Sequence, residues 1–80
     1  MDRELLEVCW RVQGGSDGLF RCGIFLTMPN LLHVTVIRGD GRDVSLVFSH
    51  TVNDIEAARN LAECCRYMVL AKATFNEVLH

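Results

Sequence analysis

Apolar residues recur along this chain with two periods, every second position through most of the first fifty residues and every third or fourth position after them. Stepping about 100° per residue places Ile55, Ala58, Ala62, Cys65 and Val69 on one stripe of a helix, with Leu61, Cys64, Met68, Ala71, Phe75 and Val78 on a neighbouring stripe. The pattern predicts a helix over about 53–79. Glu56, Arg59, Asn60, Glu63, Arg66 and Glu77 fill the solvated arc, and the spacings Glu56 to Arg59 and Glu63 to Arg66 suit ion pairs one turn apart. Asn53 is the expected cap, with Glu56 at the third helical position, and Thr51 with Asp54 is the competing cap. A helix lying on a small sheet needs an apolar stripe of roughly 100°, so the second row is surplus. Lys72 and Asn76 interrupt the first row near its end, whereas Phe75, Val78 and Leu79 carry the second onward. A homodimer is therefore expected, either through Leu61, Cys64, Met68, Ala71, Phe75 and Val78 as a self-complementary interface across a two-fold axis or through the outer faces of two sheets. The helix geometry is favoured because Met68, Phe75 and Val78 form the more continuous apolar row.

The alternating segments predict strands over about 4–13, 19–28, 31–38 and 43–50, each bounded by turn residues. Pairing Gln13 with Leu19 sets Trp10 against Cys22, Val8 against Ile24 and Leu6 against Leu26. A three-residue link over 29–31 continues the same apolar face through Leu32, Val34 and Val36. A tip at Gly39-Asp40-Gly41 pairs Arg38 with Arg42 and lays Val36 on Val44, Val34 on Leu46 and Leu32 on Phe48. Links this short join antiparallel strands. The expected fold is a single α+β domain over 1–80, a four-stranded antiparallel β-meander followed by one long C-terminal α-helix (ββββα). The opposite face of the sheet, which one helix cannot cover, mixes polar residues with an apolar band. Cys9, Phe25, Ile37 and Val47 form that band and are the expected surface for a protein partner.

Composition narrows the function classes. Eighty residues make one small domain, a size at which self-association commonly supplements the core. Eight basic residues against ten acidic ones leave no basic footprint of the kind duplex nucleic acid requires. No apolar run reaches the roughly 18 residues of a membrane span, and the Met1-Asp2-Arg3-Glu4 start lacks a secretory leader's basic region. The expectation is a cytoplasmic protein with its four cysteines reduced and no membrane association.

No spacing of Cys9, Cys22, Cys64, Cys65, His33, His50 and His80 forms a zinc-binding pair, and the pairing above puts Cys9 and Cys22 on opposite faces. The cysteines read as core hydrophobes, with neither metal nor cofactor expected. Gly14 to Gly18 links two strands and opens no helix, so it lacks the dipole on which a phosphate loop depends. Arg38-Gly39-Asp40 is accounted for by the turn.

The order of four antiparallel strands and one dimerising helix is similar to a family of transcriptional coactivators that bind single-stranded DNA as dimers. The likeness is one of topology and implies no site residues. The expected function is a non-catalytic protein-interaction or regulatory module, not an enzyme, acting as a homodimer with the outer sheet face presented to a partner. One alternative is a dimer that binds single-stranded nucleic acid through Arg11 and Arg21, with Phe25 for stacking. Another is a thiol-dependent enzyme in which His50 activates Cys65.

Overall fold

The computed structural model describes residues 3–27, 30–40 and 43–72. Strands β1 (Arg3–Gln13), β2 (Leu19–Thr27), β3 (Leu31–Asp40) and β4 (Asp43–Val52) form one antiparallel sheet in the order β1-β2-β3-β4, and helix α1 (Ile55–Ala71) follows. This is the expected ββββα arrangement. Gly15–Asp17 make one turn of 3-10 helix between β1 and β2, closed by the Gly14 N–H donating to the Gly18 carbonyl at 2.8 Å.

The first helical stripe does what its pattern implies. Ala58, Ala62, Cys65 and Val69 are buried, and Ile55 packs against the same core. Three of the four buried helical residues are small, so the helix backbone lies close to the sheet. There it meets Cys22, Ile24, Val34, Val36 and Phe48. Trp10 completes the core from β1 and donates its indole Nε1–H to the Ala62 carbonyl at 2.7 Å, which satisfies its one polar atom. Asp54, not Asn53 or Thr51, caps the helix, accepting from the Ala57 N–H at 2.9 Å. The reason is that β4 continues to Val52, which leaves Asn53 as a link residue. At the other end Lys72 adopts φ 58° and its N–H donates to the Met68 and Val69 carbonyls, a left-handed closure of the last turn. The expected continuation through Phe75, Val78 and Leu79 lies outside the described residues.

Register departs from the simple alternation at three places. Near the first loop Gln13 pairs with Leu19 and Trp10 with Cys22, as expected, but Val8 pairs with Gly23, Glu7 with Ile24 and Leu5 with Phe25. Two β-bulges in β1, at Cys9 and Leu6, each add one residue opposite β2 and reverse the side to which the preceding residues point. The second hairpin keeps the expected faces with a different offset, Ile24 on Val34 and Leu26 on Leu32. The third hairpin is longer than expected. Asp40 pairs with Asp43, Val36 with Phe48 and Val34 with His50, and a bulge at Val47 brings Ile37 opposite Leu46. Gly39 allows this extension, because it sits within β3 at φ 116° against Val44.

A Cβ on Gly39 would land on the Asp43 carbonyl, so Gly39→Ala combines a forbidden backbone angle with a backbone collision. It is expected to cost 2 kcal/mol or more, roughly. Trp10→Phe keeps an aromatic side chain but removes the bond to Ala62 and part of the buried indole volume, and is expected to cost about 1–2 kcal/mol or more. Urea unfolding midpoints measure both, and a midpoint unchanged in either variant contradicts the corresponding contact.

Candidate functional site: the outer face of the sheet

The observed register sends Arg3, Leu5, Val8 and Arg11 of β1 to the face opposite the helix, together with Arg21, Gly23 and Phe25 of β2, Thr35 and Ile37 of β3 and Leu46 of β4. These residues line a groove of about 540 Å³. Its floor is low at Gly23, where even a Cβ would lie 3.2 Å from Leu5 Cδ1 and 3.3 Å from Phe25 Cε1. The two walls are aliphatic and open to solvent, with Val8 62% and Leu46 66% exposed.

Of the four residues expected as the partner-binding band, Phe25 and Ile37 line the groove, whereas Cys9 and Val47 do not. Both are packed against the core on the helix side. The cause is the bulges, which turn Cys9 and Val47 inward and put Val8 and Leu46 on the outer face in their place. The same shift turns Glu7 toward the helix, where it accepts from Arg59 Nη2 at 2.9 Å and Nε at 3.2 Å. That pair replaces the expected Glu56–Arg59 contact, while Glu63 and Arg66 pair at 2.6 Å as expected. Alternation alone missed Val8 and Leu46, and no local residue pattern marks the bulged positions.

The polar part of the groove is cationic. Arg11 and Arg21 are direct cross-strand partners, as the nucleic-acid reading requires them to be neighbours, and Arg3 lies with its guanidinium 5.5 Å from the Phe25 ring centre. Among the described residues no carboxylate lines the groove, and the two ion pairs involve Arg59 and Arg66. Two like charges opposite each other across a strand pair are destabilising. Beside them, Thr35 is 6% exposed, and its Oγ1 and the Nε of Arg21 are buried without hydrogen-bond partners. Farther along the face, Thr27 Oγ1 and His33 Nε2 bond to each other, which explains a half-buried histidine without a functional role.

The surplus helical row is less uniform than its spacing suggests. Leu61 is drawn against the core, Met68 is half-buried, Cys64 and Ala71 are exposed, and Phe75 and Val78 lie outside the described residues. Tyr67 and Leu70 are exposed on the arc occupied by the charged residues, with the Arg66 guanidinium 5.1 Å from the Tyr67 ring centre.

The cysteines occupy the opposite side of the sheet. Cys9 and Cys22 share the helix face, contrary to the expected separation, because the Cys9 bulge rotates it inward. Burial is the main cause that raises the thiol pKa of Cys9 and of Cys22, and it pushes Cys65 up to about 12. A thiol held protonated is a poor nucleophile. Cys65 is fully buried whereas His50 is exposed, with its ring 6.3 Å from that of Phe48. Among the described residues no three His, Cys, Asp or Glu side chains are placed to hold a metal ion, and no helix is long and apolar enough to cross a membrane. No known protein family, curated protein or solved structure matches this chain.

The buried thiols couple stability to alkaline pH. In the unfolded chain each ionises near its ordinary value of 9.0, whereas Cys65 in the fold holds its proton to about 12. The folded state therefore binds more protons than the unfolded state across that window. The stability from this difference is fully present below pH 9 and falls as pH rises toward 12. Each such thiol adds a slope of about 1.4 kcal/mol per pH unit. Urea midpoints are expected to decline between about pH 9 and 11 and to do so less steeply in Cys65→Ala; an identical slope in the variant contradicts the assignment.

Proposed function

We propose that this chain is a non-catalytic interaction module that associates as a homodimer through the second row of α1 and presents the outer face of its sheet to a protein partner. The supporting observation is the groove on that face. Val8, Leu46, Phe25 and Ile37 frame an uncovered apolar surface on a sheet whose other side is filled by the protein's only described helix. Aliphatic walls and an unneutralised arginine pair on a rigid sheet suit recognition, with the apolar part supplying affinity and the charges orientation. The raised thiol pKa values of half-buried Cys9 and of buried Cys22 and Cys65 favour this reading over a thiol-dependent enzyme.

One observation favours a second reading, single-stranded nucleic-acid binding. Arg11 and Arg21 stand side by side on the open face, with Arg3 against Phe25. A single aromatic offers little stacking surface compared with the platforms such proteins use.

Light scattering tests the assembly. The wild type is expected at twice the chain mass, Met68→Asp at the chain mass and Leu46→Asp still at twice the chain mass. A dimer that survives Met68→Asp and dissociates in Leu46→Asp would overturn the helix-mediated geometry and assign the outer face to self-association. Fluorescence anisotropy with a labelled oligothymidylate tests the second reading. Contacts to two phosphates require a log–log salt slope of about −1.4, lost in Arg11→Gln. The interaction reading expects no such binding.

A further inference from the structure

We propose that the outer groove is a binding site for an apolar carboxylate, a free small molecule whose aliphatic body lies along Val8, Phe25, Ile37 and Leu46 and whose head group is held by Arg11, Arg21 and Thr35. The inference rests on reading the outer face as a binding surface, and it assigns the groove on that face a small-molecule occupant in place of the protein partner. Three independent features select that class.

The first is volume. About 540 Å³ lies within the range of roughly 300–1,000 Å³ typical of small-molecule sites, which combine an apolar lining with a few polar groups that fix orientation. The walls at Val8 and Leu46 and the low floor at Gly23 enclose a body of modest length.

The second is charge. Arg11 and Arg21 are direct cross-strand partners, and among the described residues no acidic side chain lines the groove. The fold tolerates an electrostatic cost there that one anion would reverse into attraction.

The third is hydrogen bonding. Thr35 is 6% exposed and its Oγ1 has no partner, and the same holds for the Nε of Arg21. Buried donors are ordinarily satisfied, so two orphans lining one groove call for an acceptor. Residues 21 and 35 sit on adjacent strands, diagonal through the pairs Arg21–Ile37 and Gly23–Thr35. One donor from each matches the two oxygens of a carboxylate. Arg21 as a whole is half-buried. A phosphate dianion is more strongly hydrated and loses more on entering an apolar groove. A nucleic acid would require stacking surfaces beyond Phe25.

The test uses octanoate as the probe, with octanol and inorganic phosphate as controls, each titrated into the isotopically labelled 80-residue chain and followed by NMR. Octanoate is expected to shift the signals of Val8, Phe25, Ile37 and Leu46 saturably, with a Kd below about 1 mM and octanol at least about tenfold weaker. Thr35→Val preserves shape and removes the orphaned hydroxyl. It is expected to raise the urea midpoint of the free protein while weakening octanoate about tenfold. Arg21→Gln is expected to weaken it at least as much. Equal binding of octanoate and octanol, an unchanged affinity in Thr35→Val, shifts with phosphate alone, or no saturable shift with octanoate would each overturn the proposal. Solution mass is read separately, so a failed titration on an intact dimer overturns the ligand class and leaves the interaction module standing.

Discussion

An α-helix is about 10 Å across, and the seventeen residues of α1 extend for about 26 Å. Four strands spaced about 4.8 Å apart present two faces, each broader than that footprint. The helix can close one face only, and along its shortest axis the molecule measures 17 Å, room for two layers and no third. The rest of the architecture answers to this limit. The covered face must be well sealed by few residues, and the other must remain stable in water while still carrying apolar side chains.

The covered face is sealed by close approach. With Ala58, Ala62 and Cys65 along the contact, the helix backbone comes near enough for the Trp10 indole to reach the Ala62 carbonyl. Tryptophan supplies from the sheet the volume that the small helical residues lack. The cysteines belong to the same solution, as compact, weakly polar groups that fill the space between strand and helix. Their raised pKa values record that burial.

The open face owes its character to the bulges. One extra residue at Cys9 and another at Val47 exchange an inward and an outward neighbour, so small or core-packed residues turn toward the helix while Val8 and Leu46 rise on the other side. Glu7 is carried along and finds Arg59, which removes an acid from the neighbourhood of Arg11 and Arg21. The ion pair itself is exposed and contributes little stability. Its larger consequence is electrostatic, because among the described residues no negative charge is left in the groove.

Much of this was legible in the residues alone. Helical spacing identified Ala58, Ala62, Cys65 and Val69 as the buried row, and short links together with alternation identified an antiparallel four-stranded meander with Trp10, Cys22, Ile24, Val34 and Phe48 inside. These are local periodicities, and burial of one face enforces them. Phe25, Ile37, Arg11 and Arg21 were placed on the outer face for the same reason. Cys9 and Val47 were not placed correctly, and Val8 and Leu46 went unrecognised, because a bulge changes parity without changing composition. Whether a strand takes an extra residue is decided by how the facing strands and the helix pack, and that requires all partners at once. The cap moved to Asp54 for a related cause, since the length of β4 is set by its pairing with β3 and not by its own residues. The orphaned Thr35 hydroxyl was likewise invisible in one dimension, because a missing hydrogen-bond partner is a property of everything around a residue.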